Sequence, residues 1–156
     1  MSPTHVSAEL RRLVRADAGH RCGYCRTSEL LTGTPLEIEH LIPEAAGGPT
    51  VRENLWMACH RCNEYKGART QAIDPLTGDV TLSYKPRTQF WREHFTWSPD
   101  AALIIGLTPC GRATVEALRL NHETLVEARR FWVIAGWHPP AEDNDAHRRT
   151  ERQSAS

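Results

Sequence analysis

Two Cys-x-x-Cys pairs, CGYC at residues 22–25 and CHRC at residues 59–62, constrain this chain more than any other feature. Each pair turns two thiolates to one side of a tight knuckle, and two knuckles together supply the tetrahedral sulfur shell that Zn²⁺ accepts at ~2.3 Å per bond. The 33 residues between Cys25 and Cys59 exceed the spacing of simple zinc-finger patterns, so something folded has to lie between the knuckles. The opening stretch MSPTHVSAELRR lacks the apolar middle of an export signal. In the reducing cytoplasm that this implies, zinc accounts for four paired thiols better than disulfides or a redox pair. The expectation is a structural zinc site on Cys22, Cys25, Cys59 and Cys62, with Cys110 a buried small residue of no chemical role.

Composition narrows the rest. At 156 residues the chain is one compact domain or a small domain with an appendage. Hydrophobic residues at 40% and charged residues at 24% are ordinary for a globular fold and exclude collagen-like, disordered and coiled-coil classes. No apolar run approaches the ~18 residues that would cross a bilayer, so no membrane partner is expected. Lys+Arg and Asp+Glu are both 19, so any polyanionic partner must be recognised by local charge rather than by a global field.

Helical and extended patterns alternate along the chain, which reads as α+β. Residues 7–19 predict a helix, with Ser7 as N-cap, Gly19 as stop and an apolar stripe of Leu10, Leu13 and Val14. LEIEHLIP at 36–43 alternates apolar and charged residues and ends at Pro43, as a strand does. A loop at 45–49 and a second apolar run, NLWMAC at 54–59, complete a possible hairpin, after which CNEYKGART leads into a short helix. Beyond residue 73, Pro-Leu-Thr-Gly-Asp is a turn between two short strands. Thr108-Pro109 opens a helix to about Leu120, and Asn121 caps another that runs to Gly136. Trp91, Trp97, Trp132 and Trp137 fall in this half and mark a packed core rather than a base-stacking platform. The expected divisions are an N-terminal helix (1–21), a zinc-bearing core (22–72), a helical supporting subdomain (73–138) and a disordered tail (139–156).

The insert between the knuckles carries the chemistry. A hard divalent cation takes oxygen ligands and leaves positions for water and a phosphate oxygen. Glu39 and Asn63 supply a carboxylate and an amide oxygen, and the His40 imidazole beside them can take a proton from an attacking water. Consecutive strand residues point to opposite faces, so the strand must end or twist at Glu39-His40, and Glu37, on the face of Glu39, is the rival ligand.

The motifs CGYC, EIEHLIP, GG, ENL and CHRCNEYKG, in that order across residues 22–67, resemble the HNH endonuclease family, in its ββα-metal form with a four-cysteine zinc site. The later stretches, DPLTG through GLTPCGRATVEALRLN and GWHPP, look like the C-terminal part of small standalone bacterial members. The resemblance implies DNA phosphodiester hydrolysis, with RNA as a possible substrate. It assigns His40 as general base, Glu39 and Asn63 as ligands of one catalytic Mg²⁺ or Mn²⁺, and Asn54 as the residue that fixes the loop and the base. The pattern here is His-Asn-Asn, and Glu replaces the commoner Asp before the base, adding one methylene. His60 sits inside the second knuckle and is expected to be exposed rather than ligating. Arg61 and Lys66 flank Asn63 and are candidates to hold phosphates, or plain solvated charges. Arg11, Arg12, Arg15, Arg21 and Arg26 form a candidate backbone-contact stripe. Two other readings share these residues: a non-catalytic zinc-stabilised nucleic-acid-binding module, and a zinc-stabilised protein-interaction domain that would expose an apolar patch.

Overall fold

The computed structural model describes residues 5–144. The first helix, α1 (Ala8–Asp17), starts where Ser7 accepts a hydrogen bond from the Leu10 amide. Val14, with no exposure, is its inward residue. A short α2 (Glu29–Thr32), capped by Ser28, follows the first knuckle. The hairpin forms as expected: β1 (Glu37–His40) pairs antiparallel with β2 (Leu55–Ala58), Glu39 opposite Trp56 and His40 opposite Leu55. The connection between them contains two 3₁₀ turns, Glu44–Ala46 and Arg52–Asn54. Gly48 is required there, because a Cβ at that position would lie 1.8 Å from the Ile42 carbonyl oxygen.

Helix α3 (His60–Lys66) begins inside the second knuckle, earlier than the pattern CNEYKGART suggests. Cys59 is its N-cap and Cys62 falls in its first turn, so helix geometry itself sets the spacing of that knuckle. The turn at residues 74–79 separates β3 (Gln71–Ile73) from β4 (Val80–Leu82). Asp74 organises it by accepting from the Leu76 amide and the Thr77 hydroxyl.

After α4 (Trp91–His94), a third hairpin joins β5 (Phe95–Trp97) to β6 (Ile104–Gly106), an element that helical periodicity alone does not suggest. Thr108 caps α5 (Pro109–Ala117), which ends one turn before Leu120. The cap of α6 (Glu123–Ala135) is His122, not Asn121. Asn121 instead bonds both the amide and the carbonyl of Ile104, fastening β6.

The two halves share one core. Trp91 donates its indole N–H to the Tyr24 carbonyl at 2.9 Å and stacks on Phe95, while Tyr84 meets both Tyr24 and Phe95 edge-on. Not every tryptophan is inside, however. Trp137 is 63% exposed and, with Phe131 and Ile134, leaves an apolar edge at the end of α6. The expected tail also begins later than its composition indicates. Residues 141–144 form α7 (Ala141–Asn144), held because Glu142 pairs with Arg21 and Asp143 with Arg26. The remainder of that tail lies outside the described residues.

Candidate active site and metal centre

The hairpin and α3 bring the four knuckle cysteines together. Their sulfurs all lie within 4.8 Å of one another, and Cys25 Sγ is 3.8 Å from Cys59 Sγ. A tetrahedron with ~2.3 Å bonds has edges of about 3.8 Å, so the cage fits Zn²⁺. Burial holds the Cys22 thiol well above its usual range, hydrogen bonds from the other sulfurs push Cys62 the same way, and donation from Cys22, Cys59 and Cys62 lowers Cys25. Four thiolates at such distances require a cation among them.

One basic group stands behind this cage. Arg129 of α6 has no exposure, donates to the Ala102 and Leu120 carbonyls and to Asn121 Oδ1, and leaves its Nε without a partner. Burial pulls the guanidinium down to about 10, against the opposing pull of the Cys25 and Cys62 thiolates. A four-thiolate zinc centre carries about −2 charge, and Arg129 is the buried cation that offsets it.

Along β1 the other candidates separate into two sets, with Glu37 opposite Ala58 beside the second knuckle and His40 opposite Leu55 at the far end. Glu39 is 2% exposed, and its Oε1 accepts from the Tyr24 hydroxyl and lies 3.0 Å from Lys66 Nζ. Its Oε2 is buried with no hydrogen-bond partner. Burial raises the carboxyl above its usual range, with Lys66 and Tyr24 pulling the other way. Asn63, by contrast, donates from Nδ2 to Glu37 Oε2 at 2.9 Å, and Glu37 Oε1 is 2.8 Å from His60 Nδ1. Burial acts to raise Glu37, but the Asn63 and His60 donors win and hold it below its usual range. In this arrangement Asn63 is bonded to the rival carboxylate rather than to Glu39. Oε2 of Glu39 is unpartnered and Oδ1 of Asn63 has no hydrogen bond among the described residues, and a carboxylate and an amide oxygen are the donor chemistry a hard cation takes.

His40 closes β1. Its Nε2 lies 3.0 Å from Thr50 Oγ1 and 3.3 Å from Glu44 Oε1, both on the loop that follows. That loop is pinned by Asn54, 6% exposed, whose Oδ1 accepts from the Ile42 amide and whose Nδ2 donates to the Ile42 and Pro49 carbonyls. His60 is exposed, as its place in the knuckle suggests. Lys66 departs from expectation: it is 4% exposed, with its ammonium on Glu39 and the His40 carbonyl, so it does not face a phosphate at the surface. Three of the five N-terminal arginines are likewise taken up, Arg15 by Glu29, Arg21 by Glu142 and Arg26 by Asp143. Sequence reasoning passed over Tyr24, Glu44, Thr50 and Arg129. Only Glu44, four residues after His40 and beside Pro43, carries a local signal.

A β-hairpin and a helix stapled by four sulfurs, with a histidine at the end of the first strand and an asparagine locking the loop behind it, define a zinc-stabilised ββα unit. Residues 22–69 match the HNH endonuclease family model. Over 76 residues the chain is 43% identical to the CRISPR-associated endonuclease Cas9 of Corynebacterium diphtheriae, an alignment that covers 46% of this chain and 7% of that relative's own length. No solved structure matches the chain.

Proposed function

We propose that this HNH unit hydrolyses DNA phosphodiester bonds, with His40 as general base and one divalent cation at Glu39 and Asn63. The observation that carries the reading is the setting of His40. Glu44 can only accept, and in the tautomer that turns the Nε2 hydrogen to it the lone pair is on Nδ1, which has no hydrogen bond among the described residues. His40 therefore takes the water's proton at Nδ1, and Glu44 stabilises the imidazolium that results. Glu39 and Asn63 would hold Mg²⁺ or Mn²⁺, which supplies charge stabilisation at the phosphate and its leaving oxygen. Asn54 holds the loop and so the aim of the ring. The cage on Cys22, Cys25, Cys59 and Cys62 holds structural Zn²⁺ and takes no part in the chemistry. A zinc cage of four thiols rather than disulfides supports a reducing compartment such as the cytoplasm.

The direct test is incubation of supercoiled plasmid with purified protein and Mg²⁺, Mn²⁺ or EDTA, with His40→Ala in parallel and a labelled RNA as second substrate. Metal-dependent nicking or linearisation that drops by about 10²-fold or more in the variant is the expected result. One observation favours a second reading, a non-catalytic nucleic-acid-binding module: Lys66 already neutralises Glu39, so an entering cation has to share that carboxylate. DNA binding without cleavage under every metal, by protein that retains zinc, would select it. The interaction-domain reading draws on the exposed edge of Phe131, Ile134 and Trp137 and predicts no nucleic-acid affinity at all.

A further inference from the structure

The arginines of this chain differ in what neutralises them. Arg15, Arg21, Arg26, Arg52, Arg87 and Arg112 each lie on a carboxylate. Among the described residues, Arg11, Arg12, Arg61, Arg69 and Arg119 do not. Three of these five meet at one residue of α3, two on its ring and one on its backbone. The Arg61 guanidinium lies over the Tyr65 ring at 5.4 Å from its centroid, and Arg119 lies over the same ring at 5.0 Å. Arg69 donates to the Tyr65 carbonyl.

These arginines come from separate stretches. Arg61 is in α3, Arg69 follows it, and Arg119 sits in the connection between α5 and α6 with a φ of +50°, a left-handed conformation that a bulky residue seldom adopts. Gathering two exposed cations on one ring, with a third on the carbonyl of the same residue, works against their mutual repulsion, and the quadrupole of a phenol offsets only part of it. The missing component is an anion. A guanidinium presents a planar fork that matches two phosphate oxygens, so repeated phosphates are the counter-charge with the right shape.

The position of the cluster says which phosphates. Arg61 and Tyr65 are four residues apart and share a face of α3, while Asn63 between them lies about 200° round the helix, on the side of Glu37 and β1. The cluster is thus roughly one helix diameter, ~10 Å, from the candidate site. We propose that Arg61, Arg69 and Arg119, collected on Tyr65, are a docking site for the sugar-phosphate backbone of duplex DNA, gripping phosphates that flank the one cleaved. The proposal rests on the nuclease reading, and it hands to Arg119 the role that buried Lys66 cannot fill. These arginines are positioning residues, not catalytic ones.

The test uses the full chain carrying His40→Ala, so that DNA is bound without being cut. Anisotropy of a short labelled duplex is followed as KCl rises from ~50 to ~200 mM, and log K is plotted against log salt. Arg119→Gln is expected to reduce the slope by about 0.9, and Arg61→Gln with Arg119→Gln by about 1.8. Arg130→Gln on α6, where Arg130 pairs with Glu127, serves as the charge-matched control and leaves the slope unchanged. Zinc content and melting temperature certify that each variant is folded. In the His40 protein, the same pair of substitutions raises KM with little change in kcat. An unchanged slope in the double variant, or an equal fall in the Arg130 control, would overturn the docking site and leave the nuclease reading standing. No binding by the parent protein at any salt would overturn both.

Discussion

The two ends of the β1–β2 hairpin are built to different standards of completeness. At the knuckle end, four sulfurs converge within 4.8 Å, and Arg129 supplies a buried positive charge behind them. At the other end, His40 is occupied by Thr50 and Glu44, and Glu39 beside it by Tyr24 and Lys66. The difference follows from what each end has to do. A structural ion replaces a hydrophobic core that this short segment cannot otherwise build, so its ligands need no alternative partners. A catalytic ion must enter with open positions, and until it does the protein's own groups have to satisfy buried charge.

Removing the knuckle end should have the largest effect. Cys59→Ser, or prolonged chelation of the wild type, is expected to abolish the cooperative melting transition of the hairpin and α3, since apparent zinc binding is worth on the order of 10 kcal/mol of folding free energy in small sites. Circular dichroism with parallel zinc analysis reads this directly, and a chelated protein that melts unchanged would break the contrast.

Next in size is the charge behind the cage. Arg129→Met removes a buried cation and leaves the Ala102 and Leu120 carbonyls without their donor. A loss of about 3 kcal/mol in urea unfolding and faster zinc loss to a competing chelator are expected. Unchanged chelator kinetics would mean that Arg129 serves α6 packing alone.

The other end is sharpened by Lys66→Met, which strands the Glu39 carboxyl among buried groups. An acid whose folded pKa is raised binds its proton more tightly when folded, so its contribution to stability falls as pH rises above the unfolded value. The variant should therefore lose stability relative to the wild type progressively as pH rises above the unfolded glutamate range, read by unfolding at each pH. A flat difference would show that Lys66 does not govern that carboxyl.

The smallest effect is expected away from both ends. Arg112 holds Asp74 down to about 2, so the stabilisation is present above the unfolded value of 3.8 and is lost as pH falls through about 2. Melting temperatures of Asp74→Asn and wild type should differ at neutral pH and converge in strong acid.

Much of this molecule could be read before its structure. Ser7, Thr108 and Gly136 mark helix ends because capping is chemistry between neighbours in sequence. The hairpin is legible from its period-two pattern, and the four cysteines from their spacing. The β5–β6 pair was not, because three-residue strands carry too little alternation to be told from a helical stretch. The cap at His122 was missed for a related reason: Asn121 is the better cap by composition, but Ile104 claims its side chain.

What the chain determined locally, then, was the set of available groups: two thiolate knuckles, a Glu-His at a strand end, and an asparagine on the following helix. Spacing and side-chain chemistry are properties of neighbours, so they survive being read along a line. Which group meets which was decided only in three dimensions. Lys66 went to Glu39 because one turn of α3 sets it over β1, Glu37 went to Asn63, and Arg119 came from beyond α5 to lie on Tyr65. Pairings of that kind depend on the burial and approach of elements distant in sequence, where the cost of leaving a buried charge unpartnered selects the match.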